Sequence, residues 1–71
     1  SLAAIGEVGL TGEVRSVSNM NQRISEVVRL GFKECIVPKS CANKLEIPRN
    51  LKIYAVRNIC EAIEIALIQS Q

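Results

Sequence analysis

The sequence contains no histidine and no tryptophan, and only one phenylalanine and one tyrosine among 71 residues. Without histidine, Ser–His and Cys–His nucleophilic pairs and histidine-containing metal sites are excluded. The scarcity of aromatic rings also argues against nucleic-acid binding by base stacking. A hydrophobic core must instead be built from the aliphatic residues, which dominate an apolar fraction of 48%.

Cysteines and long apolar runs are also scarce. The three cysteines, Cys35, Cys41 and Cys60, are odd in number, and their spacing matches no metal-binding motif. We expect buried free thiols in a reducing compartment, with Cys60 on the apolar side of a helix. No signal peptide is recognisable, and no apolar run approaches the ~20 residues of a membrane helix. The sequence therefore favours a cytoplasmic protein with no membrane partner.

The net charge of +2 is unevenly distributed along the chain. All nine Lys and Arg residues lie between positions 15 and 57, and both flanking segments are acidic. A basic middle segment can meet phosphate groups, which would point to a nucleic acid. The same density of charge is also typical of an ordinary solvated surface, and both interpretations stay open.

Hydrophobic periodicity and capping signals predict an α+β domain, arranged as an α/β layer. Strands are expected at residues 2–10, 13–17, 34–37 and 51–56, a helix at 19–30, a helical turn near 42–45 and a last helix after Asn58. Ser18 is the expected N-cap of the first helix, and Gly31 its left-handed end. Asn58 and Glu61 form a predicted capping box. The last helix is expected to bury one stripe: Ile59, Ala62, Ile63, Ala66 and Leu67.

Two motifs near the start of the chain have competing interpretations. Gly6, Gly9 and Gly12 are spaced like a nucleotide-binding loop, but no strand–turn–helix pattern and no Lys-Ser/Thr pair accompanies them. We interpret them as bulges and a hairpin turn. Glu7 and Glu13 could face one another across this hairpin, where we expect a surface or ion-paired role rather than paired-carboxylate catalysis.

Four segments carry a family resemblance: Ile5–Arg15, Arg23, Leu30–Lys33 and Ile36–Lys39. Together they resemble the C-terminal domain of the bacterial DNA-repair protein family RadA (Sms), which is similar to the proteolytic domain of Lon protease. The resemblance implies a Lon proteolytic-domain-like fold of the ribosomal protein S5 domain 2-like type, present in part as β-β-α-β-(short α)-β-α. We expect residues 2–69 to be the C-terminal part of such a domain and Ser1 to be a cloning remnant.

The same resemblance implies that catalysis has been lost. In this resemblance, the register through Gly6, Gly12, Gly31 and Pro38-Lys39 places the Lon dyad lysine on Asn21. An amide cannot take a proton from serine at neutral pH. Peptidases of this type also tend to have Thr where this chain has Ile5, and their nucleophilic serine lies upstream. A non-catalytic scaffold is therefore expected. The alternatives are a fragment of a Lon-like Ser–Lys peptidase and a small interaction domain with an unrelated role.

Partners and cofactors follow from the resemblance as well. It implies a homo-oligomeric ring, binding to DNA, which we expect to be single-stranded, and a parent protein that is a DNA-dependent ATPase acting in branch migration. ATP, Mg and Zn are expected only in other parts of that parent, with no cofactor or metal site in this chain. Charge alone suggests five phosphate contacts: Arg15, Arg23, Arg29, Lys33 and Lys39.

Overall fold

The computed structural model of the protein describes residues 2–70 and contains two small sheets and three helices within that range. Its elements are β1 (Leu2–Ala4), β2 (Glu7–Val8), β3 (Val14–Arg15), α1 (Met20–Arg29), β4 (Glu34–Pro38), α2 (Lys39–Ala42), β5 (Lys52–Val56) and α3 (Ile59–Gln69). Ser1, the expected cloning remnant, lies outside the described residues. None of the helices in this range is long and apolar enough to cross a membrane.

Strand β4 is the centre of a three-stranded parallel sheet with the order β1-β4-β5. Cys35, Ile36 and Val37 are consecutive apolar residues, and all three are buried. Because successive side chains of a strand point to opposite faces, a continuous apolar run requires cover on both sides of the sheet. The mixed α/β architecture predicted from the sequence is confirmed.

Helix α1 covers one face of this sheet. Its Met20 and Ile24 side chains are buried in a cluster with Cys35, Val37 and Leu51. Val27 and Val28 pack against the same cluster, which confirms the predicted apolar stripe of the helix. The helix ends as expected, since Gly31 has a φ of +93° that side chains rarely adopt.

Helix α3 lies on the opposite face, and its orientation corrects the prediction. Ile59, Ala62 and Ile65 are half-buried. Three residues of the predicted stripe are exposed instead: Ile63 (51%), Ala66 and Leu67 (60%). The start of the helix sets this rotation, because the Ile59 N–H donates to the Gly12 carbonyl at 2.8 Å. Because the first turn of the helix is anchored, the helical repeat and not the apolar pattern decides which later side chains face the sheet. The expectation that Cys60 is buried is wrong for the same reason, since Cys60 is exposed.

The capping predictions are confirmed only in part. Asn58 caps α3 by accepting from the Glu61 N–H at 3.0 Å, as predicted. The Glu61 carboxylate, however, accepts from the Arg57 N–H at 2.6 Å and not from Asn58. The N-cap of α1 is Asn19, in a left-handed conformation without a side-chain cap, and not Ser18. The Ser18 carbonyl accepts instead from Arg23 Nε at 2.9 Å.

One predicted strand and one predicted helix have clearly different bounds in the structure. The expected strand 2–10 is divided, because the chain leaves the sheet after Ile5, whose N–H still donates to Ile36 at 2.9 Å. Its second part, β2, pairs antiparallel with β3, so three strands rather than two precede α1. The short helix occupies 39–42 rather than 42–45, because it begins directly after Pro38, the extended last residue of β4.

Ile24 tests the importance of the α1–sheet contact. It is fully buried, so the substitution Ile24→Ala leaves a cavity and should lower the free energy of unfolding by about 2–5 kcal/mol. Leu10→Ala removes a side chain that is 107% exposed and should change stability by less than about 0.5 kcal/mol. Urea denaturation of both variants checks this. Equal midpoints for the two variants would contradict the assigned core.

Candidate functional site

Asn21 occupies the second position of α1 and connects this helix to the segment before β5. Its side-chain Oδ1 accepts a hydrogen bond from the Glu46 N–H at 2.8 Å. The hydroxyl of Ser25, one turn further along, donates to the Asn21 backbone carbonyl at 3.1 Å and not to the amide side chain. A carboxamide has no basic nitrogen, so this residue holds a loop in place and provides no general base for a serine.

The hairpin formed by β2 and β3 contains both predicted carboxylates. Glu7 lies opposite Arg15 in the ladder, and the Arg15 guanidinium is 3.3 Å from Glu7 and 3.9 Å from Glu13. The Thr11 hydroxyl donates to the Glu13 carboxylate at 2.5 Å, and this bond is the largest cause that lowers the pKa of Glu13. The two carboxylates therefore flank an arginine, which supports the ion-paired role and disfavours paired-carboxylate catalysis.

The glycines of the same hairpin form a turn. The Gly12 N–H donates to the Gly9 carbonyl at 3.0 Å, and the Gly9 N–H donates to the Glu13 carbonyl at 2.8 Å. Gly12 has a φ of +85°, which is why this position requires glycine. A phosphate-binding loop needs free backbone N–H groups, and here both are used within the turn. This geometry favours the interpretation as a hairpin.

Three of the five predicted phosphate contacts already have partners within the domain. Arg15 pairs with Glu7, and Arg23 donates to the Ser18 carbonyl. Arg29 pairs with Glu26, one turn earlier in α1, through two of its nitrogens, and this contact lowers the pKa of the Glu26 carboxyl. The guanidinium groups remain exposed, but a phosphate would have to compete with these partners.

The other two candidates, Lys33 and Lys39, are exposed and form no ion pair among residues 2–70. Lys33 directly precedes β4, and Lys39 directly follows it. At about 3.3 Å per residue the two Cα atoms are about 20 Å apart, at opposite ends of the sheet. The structure therefore does not bring the five residues together on one surface, and the DNA contact of each stays a prediction.

Sequence reasoning missed three further exposed cations, Lys44, Arg49 and Lys52, which also form no ion pair in the described part of the chain. The ninth cation, Arg57, pairs with Glu61 at 3.4 Å. The i,i+3 spacing of Glu26 and Arg29 and the i,i+4 spacing of Arg57 and Glu61 could have identified two neutralised arginines from the sequence. Which lysines stay free depends on the tertiary structure.

The cysteines do not form a reactive or metal-binding group. Cys35 is buried, and burial raises its pKa to about 11, so its thiol is protonated at neutral pH. The Cys41 thiol is half-buried and donates to the Pro38 carbonyl at 3.5 Å. Between residues 2 and 70 there is no group of three or more His, Cys, Asp or Glu side chains that could hold a metal ion.

Comparison with known proteins identifies relatives of this chain. The family model of the Lon protease (S16) C-terminal proteolytic domain matches residues 1–69. DNA repair protein RadA of Listeria monocytogenes is 43% identical over 63 residues, and that of Bacillus subtilis 44% identical over 63 residues. Each match covers 89% of this chain but only 14% of the relative. RadA of Mycolicibacterium smegmatis is 44% identical over 61 residues, 86% of this chain and 12% of the relative. The resemblance to RadA inferred from the sequence motifs is confirmed.

The loop contact of Asn21 can be tested with matched variants. Asn21→Ala removes the acceptor of the Glu46 N–H and should lower the free energy of unfolding by about 0.5–1.5 kcal/mol. Asn21→Asp keeps an oxygen acceptor and should retain most of the stability. Gln22→Ala, at the neighbouring exposed position, serves as the control. If Asn21→Ala is as stable as the control in urea denaturation, the contact does not hold the loop.

Proposed function

Because the chain belongs to the Lon protease (S16) C-terminal proteolytic domain family, we propose that it is a non-catalytic member of that family. Its role is that of an oligomerisation and DNA-binding scaffold within a DNA-repair protein. The observation that carries this proposal is Asn21, which stands where the resemblance places the dyad lysine and uses its side chain to hold the Glu46 backbone. Ile5, where related peptidases tend to have threonine, points in the same direction.

The setting of this domain is proposed from its relatives. All of those named above are DNA repair proteins called RadA, and this chain spans about 14% of the length of the first two. We place the chain in a cytoplasmic RadA-type protein, a DNA-dependent ATPase that acts in branch migration. ATP, Mg and Zn would bind in other parts of that protein. A ribosomal protein S5 domain 2-like arrangement, present in part, belongs to the same proposal.

An apolar surface on α3 supports the oligomerisation role. Ile63, Leu67 and Ile68 are 51%, 60% and 65% exposed, although isoleucine and leucine are among the residues most often buried. Ile63 and Leu67 are four residues apart and share one side of α3, and Ile68 directly follows Leu67. Contiguous exposed apolar surface is a feature of protein contact sites.

The main experiment separates the scaffold from a peptidase. In the natural full-length protein, we expect weaker binding to a labelled single-stranded oligonucleotide when five cations are replaced together by Ala. These are Arg15, Arg23, Arg29, Lys33 and Lys39. We also expect no cleavage of casein by the unaltered protein, with and without ATP. Unchanged DNA affinity in this variant would refute DNA binding by the five residues. Casein cleavage that disappears when residues 2–69 are removed would establish a peptidase instead.

A second experiment addresses oligomerisation. Leu67→Glu combined with Ile68→Glu places two charges on the apolar side of α3 and should shift the full-length protein to a smaller particle in analytical ultracentrifugation. A matched control adds the same charge elsewhere on the surface, through Ser25→Glu and Gln22→Glu on α1. An unchanged sedimentation coefficient of the α3 variant would exclude this helix from the oligomer contact.

A further inference from the structure

The distribution of ion pairs divides the nine cations into two classes. Arg15, Arg29 and Arg57 each contact a carboxylate, and Arg23 donates to a backbone carbonyl. The others are exposed and have no ion-pair partner among residues 2–70: Lys33, Lys39, Lys44, Arg49 and Lys52. A cation without an ion-pair partner has no carboxylate to leave when it meets a phosphate, so these five are the better candidates for phosphate ligands.

Three of the free cations meet at one end of the parallel sheet, where β4 and β5 begin. The Lys52 N–H donates to the Lys33 carbonyl at 2.9 Å, so the backbones of these two lysines are in direct contact. Arg49 lies in the turn that leads into β5, which is closed by the Leu51 N–H donating to the Pro48 carbonyl at 3.2 Å. The sheet register therefore brings together cations that are up to 19 positions apart in the sequence.

Tyr54 orders the side chains at this end. The Lys52 ammonium lies over the Tyr54 ring, 5.1 Å from its centroid, a geometry that favours a cation–π contact. The Tyr54 hydroxyl donates to Glu34 at 2.5 Å and accepts from Gln69 Nε2 at 2.9 Å. Glu34 is the carboxylate nearest to these cations in the ladder, and it is engaged by the tyrosine rather than by a lysine.

From this arrangement we infer that Lys33, Arg49 and Lys52 hold the phosphate backbone of single-stranded DNA at the end of the sheet where β4 and β5 begin. The inference rests on the proposed DNA-binding function and assigns its site. The earlier set of candidate contacts was spread over both ends of the sheet, whereas these three cations are all at one end. Backbone contacts of this kind carry no base preference, in keeping with the scarcity of aromatic residues available for stacking.

The remaining free lysines provide a matched control. Lys39 begins α2 and Lys44 follows it, at the opposite end of β4 from Lys33. The double substitutions Lys33→Ala/Lys52→Ala and Lys39→Ala/Lys44→Ala remove the same charge from equally exposed positions. A difference between them therefore reports the location of the site and not the net charge of the protein.

The test measures binding of a labelled oligothymidine strand to the natural full-length protein by fluorescence anisotropy over a series of NaCl concentrations. A phosphate contact to a single strand contributes about 0.7 to the slope of log K against log salt. We expect Lys33→Ala/Lys52→Ala to reduce this slope by about 1.4, and the Lys39→Ala/Lys44→Ala control to leave it unchanged. The charge-preserving variant Lys33→Arg/Lys52→Arg should bind like the unaltered protein, and all variants should melt at the same temperature.

The possible outcomes are distinct. An equal loss in both Ala variants, or a larger loss in the control, would overturn the inferred site and leave the DNA-binding function standing. Loss of binding in the Arg variant would show that the positive charges are not what holds the strand, and would also overturn the site. Absence of binding by the unaltered protein would overturn the proposed function itself.

Discussion

The burial of β4 on both faces is the constraint on which the rest of the structure depends. Cys35, Ile36 and Val37 can be removed from water only if the sheet is covered on both sides, by α1 on one face and by α3 with the hairpin on the other. The same strand joins β1 to β5, since neither of these pairs with the other. The residues proposed as functional lie at the two ends of this strand, on the helices that cover it, in the hairpin and in the turn before β5.

The domain belongs to a peptidase family, and the residue that we propose to stand at the position of the dyad lysine makes a structural contact. Asn21 lies at the start of α1, and its side chain is engaged by the Glu46 backbone. A lysine at this position would lose that acceptor and would have to be desolvated to act as a base. The carboxylates of the hairpin also make structural contacts, since they neutralise Arg15 rather than form an acid–base pair.

Charge is informative here only after internal pairing has been considered. The net charge of the middle segment suggests a nucleic-acid partner, yet several of its arginines are bound to carboxylates or carbonyls of the same domain. Two of the lysines without an ion pair, Lys33 and Lys52, are brought together by strand register. Once the paired cations are set aside, the proposed interface can be located at the end of the sheet where β4 and β5 begin. A count of basic residues does not give this location.

The sequence by itself determined the family, the apolar stripe of α1, the left-handed Gly31 and the capping of α3 by Asn58, because each depends on residues close together in the chain. The assignment of Asn21 to the position of the dyad lysine stays a prediction from the sequence. Only the tertiary structure decided how residues 2–8 divide between two sheets, which side of α3 is buried and where the helix beginning after Pro38 lies. The same holds for the cations: ladder hydrogen bonds between β4 and β5 place Lys33 beside Lys52, and such non-local contacts leave no periodic signal in the sequence.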